Sequence, residues 1–216
     1  MTSMAPAPTE SADAAVPTAK LGLRERKKIQ TRQAIRRTAY RLFEDQGYDA
    51  TPVDQIAEEA DVSPSTVFRY FPTKEDIVLT DEYDPMIEEE LRGRPPGEPP
   101  IAALREALSD SLSRIYNQVD GDETFQRIRL IREVPALRGR MSEQSADTAN
   151  ILMRALADRT GRPVDDLELR IVTGAALGAL TEAMFFWVDH GMSGDLEDLR
   201  TLVAQALGVL ERGLTL

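Results

Sequence analysis

Between Pro64 and Phe71 the chain reads PSTVFRYF, which places two hydroxyls (Ser65, Thr66), one guanidinium (Arg69) and three aromatic rings (Phe68, Tyr70, Phe71) in eight residues without an acid. Hydroxyls and a guanidinium spaced along a helix suit hydrogen bonding to base edges and phosphates. Ser63-Pro64 supplies a capping hydroxyl and a first-turn proline, so this stretch is predicted to be a short helix. Another short helix precedes it. Thr51 reads as its N-cap, Pro52 as its first position and Asp54 as a first-turn acid suited to the helix dipole. Val53, Ile56, Ala57 and Ala60 recur at three-to-four spacing and mark its buried face. Asp61-Val62 interrupts that pattern, and Thr73-Lys74-Glu75-Asp76 opens a further helix. Two short helices across a tight turn have the form of a helix-turn-helix, whose second helix enters the major groove of DNA.

Charge is distributed to match. Lys20 to Arg41 holds nine Lys or Arg against one acid, whereas Asp81 to the end holds 15 basic and 25 acidic residues. The net charge of -11 argues against general polyanion binding. The Debye length is about 8 Å at physiological salt, so a local basic stripe can still hold phosphates while the acidic body is screened.

The chain has 216 residues, 42% hydrophobic and only 6% aromatic, and is rich in Ala, Leu, Glu and Arg, which favours an all-α fold. Absence of cysteine excludes disulfides and thiolate sites and fits a reducing cytosol. The one histidine, His190, reads as a helix C-terminal cap; with no cysteine beside it, a zinc site is not expected. No cofactor, metal or catalytic residue is indicated: the chain lacks a Gly-rich phosphate loop, a nucleophilic serine elbow and a histidine placed as a base. No apolar run is read as a membrane span. Residues 1–22 are predicted to be a disordered tail, 23–80 the helix-turn-helix domain and 81–216 a larger helical domain. The helices expected are 24–46, the two of the turn motif, a continuous one over 74–91, then 101–119, 123–133, 142–160, 165–190 and 195–213.

The run RLFEDQGYDATPVDQIAEEADVSPSTVFRYFPTKED, behind a basic first helix, resembles the DNA-binding domain of TetR/AcrR-family transcriptional regulators over about 55 residues. Asp61 departs from the glycine usual in the turn, and aspartate tolerates the left-handed backbone needed there. The resemblance implies that Ser65, Thr66 and Arg69 face the groove, with Arg69 suited to pair bidentately with guanine. It implies that Tyr70 and Lys74 hold phosphates, and that Arg24, Lys27, Lys28 and Arg32 reach the backbone or a minor groove. Thr51, Ser63, Pro64 and Phe68 complete the DNA-side candidates, although Phe68, like Phe71, is read first as packing.

Residues 171–188 are more apolar than one buried stripe requires. Gly174, Ala175 and Gly178 would let a second helix approach closely, and Leu199, Leu202 and Ala206 share a side of the final helix. Together they are read as a homodimer interface; the alternative is that these faces are used inside one chain. Phe125, Ile128, Arg129, Arg132, Met153, Met184 and Trp187 are pocket candidates, the two arginines for an anionic group or, preferably, for pairing with nearby acids such as Glu133. The resemblance implies a repressor that binds a double-stranded inverted-repeat operator and is released by a small hydrophobic or acyl-type effector. The continuous 74–91 helix would carry the signal. The alternatives are a DNA-binding architectural dimer without an inducer, and, further off, an enzyme.

Overall fold

The computed structural model describes residues 23–80, 84–116, 121–192 and 195–214. The tail expected at 1–22 lies outside the described residues. Among the described residues there are ten helices and no strand: α1 (Leu23–Gln46), α2 (Val53–Glu59), α3 (Pro64–Tyr70), α4 (Lys74–Leu79), α5 (Asp84–Gly93), α6 (Pro100–Tyr116), α7 (Gly121–Glu133), α8 (Pro135–Thr160), α9 (Leu167–Asp189) and α10 (Leu196–Glu211).

Local chemistry sets the joints of the first three helices. Gly47 ends α1 at a φ of 90°, its N–H bonded to the Phe43 carbonyl at 3.0 Å. Asp61 takes the left-handed backbone (φ 53°) after α2, while its own N–H bonds Glu58 O and that of Val62 bonds Ala57 O. That paired pattern stops a helix and turns the chain sharply. Ser63 caps α3, its Oγ accepting from the Thr66 N–H at 3.2 Å. Thr73 and Asp76 form a reciprocal capping box on α4. Thr51 does not cap α2, contrary to expectation. Pro52 holds the N-cap position without a side-chain bond, and the Thr51 hydroxyl instead donates to Gly47 O at 2.8 Å.

Two hydrophobic cores result. One packs Ile35, Ala39, Phe43, Ile56, Val67, Phe71 and Ile77 with others from α1–α4, but it also takes in Leu130, Ile131 and Leu137 from α7 and α8. The second gathers α5–α10 around Leu104, Leu152, Leu156, Trp187 and Leu207. The division expected at residue 80 therefore cuts through a shared core.

The continuous 74–91 helix is not present. Thr80 is extended (φ -67°, ψ 114°) and α4 stops at Leu79. The carbonyls of α4's last turn are taken by two arginines. Arg36 donates to Ile77 O (3.1 Å) and Thr80 O (2.6 Å), and Arg127 to Val78 O (2.9 Å) and Leu79 O (3.2 Å). Helix-end carbonyls satisfied in this way need no following turn. Helix α8 starts at Pro135, earlier than expected, with the proline in its first turn. Helix α9 is long and apolar enough to cross a membrane by length and composition, with mean hydropathy 1.6. Its inner face, Leu169, Thr173, Ala176, Ala183 and Trp187, is buried against the chain's own core.

Candidate nucleic-acid interface

Helix α3 is seated by Val67 (1% exposed) and Phe71 (0%), which fix which side is left outside. The Arg32 and Arg36 guanidiniums lie over the Phe71 ring at 5.1 and 5.6 Å and hold that end of α3 against α1. The outward side carries Ser65, Phe68 and Arg69. Phe68 is 48% exposed and belongs to neither core, so its expected packing role is corrected.

Ser63, Ser65 and Thr66 form a hydroxyl cluster at the start of α3, with both side-chain contacts to Ser63 Oγ at 2.9 Å. Each hydroxyl keeps further bonding capacity. Pro64 is exposed beside them. The Arg69 guanidinium lies over the half-buried Tyr70 ring at 5.3 Å and makes no ion pair among the described residues. Arg24, Lys27 and Lys28 are exposed on α1. This side of the module is thus basic and hydroxyl-rich.

Two candidates sit elsewhere. Thr51 is 0% exposed, with its hydroxyl bonded to Gly47 O, so it braces the α1–α2 corner instead of facing a ligand. The Lys74 ammonium donates to Tyr48 O and lies 4.1 Å from the Tyr48 ring and 5.8 Å from that of Phe43. Burial lowers its pKa, partly opposed by Asp49 and Glu75. Lys74 therefore clamps α4 onto the end of α1. Burial, with Glu75 next, raises the Tyr48 pKa, which keeps that phenol neutral.

Of the pocket candidates, Phe125, Ile128, Met184 and Trp187 lie in or against the second core. Ile128 and Trp187 are core residues, and Phe125 meets Trp187 edge-on with ring centroids 5.3 Å apart. Met153 and Met184 are half-buried. Arg129 pairs with Glu44 at 3.5 Å, across the two cores, and Arg132 pairs with Asp189 at 3.2 Å while lying over Phe185. Both arginines are thus ion-paired, with partners other than the Glu133 suggested by sequence. A polar cleft of about 320 Å³ opens between α4 and α8, lined by Asp76, Leu79, Arg140, Glu143, Gln144 and Asp147, and none of the seven pocket candidates borders it.

On α9, Leu167 (70%), Ile171 (60%) and Phe186 (46%) are exposed, in line with exposed Gly174, Ala175 and Gly178. Leu199, by contrast, is 2% exposed inside its own chain, with Val203 and Leu207. Leu202 and Ala206 are half-buried beside that core. Leu199 is therefore withdrawn from the interface set, because α10 spends that stripe on α6 and α9. His190 caps α9 as expected, its Nδ1 at 2.9 Å from Phe186 O and its ring stacked on Phe186.

Sequence reasoning missed the Arg36 and Arg127 contacts with α4. Both are long-range bonds from arginines that read locally as solvated charge.

Comparison with known proteins agrees with this geometry. Residues 35–80 match the family of bacterial regulatory proteins of the tetR type, and residues 98–215 match the MftR C-terminal domain of TetR regulators. The HTH-type transcriptional regulator TcmR of Streptomyces glaucescens is 37% identical over 151 residues, 67% of each chain. The putative mycofactocin biosynthesis transcriptional regulator MftR of Mycobacterium tuberculosis is 27% identical over 186 residues, 85% of this chain and 88% of the relative. The structure of FadR from Bacillus subtilis in complex with stearoyl-CoA shares the fold, with a TM-score of 0.57 at 21% identity over 85% of this chain and 99% of that one.

Proposed function

The chain belongs to the TetR family of bacterial regulatory proteins, and from that premise we propose that it is a homodimeric repressor released from an inverted-repeat operator by a small apolar effector. Membership makes it a DNA-binding transcriptional regulator and not an enzyme. The observation that carries the finer reading is the outward side of α3, where Ser65, Phe68 and Arg69 stand exposed on a module whose other large apolar residues are mostly buried. Arg69 suits guanine O6 and N7, and the Phe68 ring suits a thymine methyl. Tyr70 and the exposed cations of α1 suit phosphates, which position the module without reading sequence.

A two-fold dimer sets two α3 helices about 34 Å apart, one turn of DNA. The exposed stripe of α9 supports dimer formation. A Cβ added at Gly174 or Gly178 would meet nothing within 4 Å, so packing inside the chain does not require glycine there. Close approach of a partner helix does. An apolar effector in the α5–α10 body fits its apolar core, and the stearoyl-CoA held by FadR of Bacillus subtilis is one precedent on this fold. Such an effector acts only by binding the DNA-incompetent arrangement better. Its route to the DNA module runs through α7, which shares the first core, because α4 ends at Leu79. The protein would act in the bacterial cytosol.

Selection of bound duplexes from a random pool tests the reading. An inverted repeat, bound with affinity that falls steeply as salt rises, is the expected product. A pool that stays unenriched at low salt overturns it.

A further inference from the structure

Trp187 is the only tryptophan and is 0% exposed, yet its indole N–H has no hydrogen-bond acceptor among the described residues. Buried indoles normally find a partner for the N–H. The same inner face of α9 holds a second orphan. Thr160 and Thr181 bond back to the carbonyl four residues earlier, at 2.8 and 2.9 Å, but the Thr173 hydroxyl, 1% exposed, has no partner among the described residues. Between the two orphans, over roughly 21 Å of helix, that face carries the small buried residues Ala176 and Ala183. Phe125, Met184 and Met192 beside it are only partly buried, and methionine yields readily to a shape inserted against it.

We propose that Trp187 Nε1 is the donor that fixes a carbonyl oxygen of an uncharged, elongated apolar ligand lying along the inner face of α9, with Thr173 marking the far limit of the site. The inference rests on the effector-responsive reading above and narrows its ligand class. A neutral acceptor is required because Arg129 and Arg132 are committed to Glu44 and Asp189. A carboxylate against the indole would be buried without a cation, at high desolvation cost. A neutral ester, ketone or thioester oxygen carries no such penalty.

Three probes of equal chain length separate the possibilities: methyl laurate, laurate and dodecane, titrated into the full-length protein. The single indole N–H gives one cross-peak in a ¹H–¹⁵N spectrum. Methyl laurate is expected to move it downfield, and dodecane to leave its proton shift nearly unchanged. Calorimetry is expected to show methyl laurate binding roughly 3- to 10-fold tighter than dodecane, the effect of one hydrogen bond, with the preference lost in Trp187→Phe. Laurate is expected to bind more weakly than its ester, and a tighter laurate would overturn the neutral-ligand class. An indole peak that ignores methyl laurate, or a preference that survives in Trp187→Phe, overturns the proposal. The peak is observed in the wild-type chain, so that result holds even where the variant fails to fold. Gel shifts separate the two readings. Trp187-dependent binding that never releases the operator defeats the repressor reading alone, and release that is unchanged in Trp187→Phe defeats this one alone.

Discussion

Arg36 of α1 and Arg127 of α7 grip the same helix end from different cores, bonding between them the carbonyls of Ile77, Val78, Leu79 and Thr80. Helix α4 is thereby fixed to the α5–α10 body by side chains, while its main-chain link to α5 leaves the helix at Thr80. Glu44 adds Gln126 (2.7 Å) and Arg129 (3.5 Å) on the same α1–α7 seam. Replacing Arg127 by Gln should leave two part-buried carbonyls short of a charged donor and cost about 1–3 kcal/mol in urea unfolding. Hydrogen exchange should rise in the α4 segment more than in α2. A variant as stable and as protected as the parent would show that α7 does not hold the module.

Phe68 of α3 and Phe71, which ends that helix, lie three residues apart and are opposites, 48% and 0% exposed. Phe71→Ala should cost about 3–5 kcal/mol, the usual penalty for an emptied aromatic site in a core. Phe68→Ala should change stability by less than about 0.5 kcal/mol, because little is packed against it. Its effect should appear on DNA instead. Replacing thymine by uracil at the contacted position removes one methyl and should weaken the parent by about 0.8 kcal/mol, with no further loss in Phe68→Ala. Equal sensitivity of both proteins to uracil would remove Phe68 from the readers.

The first module was legible because its signals are local. Ser63-Pro64, Thr73 with Asp76, and Gly47 each act within four residues, and each stands where its type suggested. Thr51 misled because a hydroxyl before proline looks like a cap, while its preferred partner was the carbonyl of Gly47 behind it. For Lys74, nothing in its neighbours' order reveals the rings of Phe43 and Tyr48 beneath it. The packing of α7 and α8 against the first module was hidden for a related reason. Leu130, Ile131 and Leu137 share a periodicity with the rest of the acidic body, and only the folded chain shows which core they join. On α10, one stripe held both buried Leu199 and half-buried Leu202, about 60° apart around the helix axis at roughly 100° per residue. That spacing is too close for sequence to separate them.

Gly174 gives the dimer its sharpest test. Its outer side is open, and Leu167, Ile171 and Phe186 extend the same exposed strip. Leucine is the better helix former by roughly 0.8 kcal/mol, so Gly174→Leu should not harm the isolated fold. It should hold a partner helix away and raise the dimer dissociation constant. Sedimentation of parent and variant at micromolar concentration reads this directly. Identical masses would place the pairing surface elsewhere.

Acid sensitivity should centre partly on the start of α9. Asp166 caps it, accepting from the N–H groups of Glu168 at 2.8 Å and Leu169 at 3.1 Å, with Arg162 at 3.3 Å. The Leu169 N–H, opposed by desolvation and helped by Arg162, holds its carboxyl below the ordinary aspartate range. A group with a depressed native pKa stabilises the fold fully above its unfolded value of about 3.9, and that contribution disappears as pH falls through the native value. Asn keeps the capping oxygen but has no such titration. Glu59, Glu98 and Glu197 are lowered as well by their arginine partners, so the parent will lose stability in acid for several reasons. The informative quantity is the difference. Asp166→Asn should be less stable than the parent at pH 7, and the gap should close as pH falls below about 4 and the parent's cap protonates. Thermal midpoints followed by circular dichroism across that range measure it, and a gap that is constant with pH would show that the Asp166 charge contributes nothing to the cap.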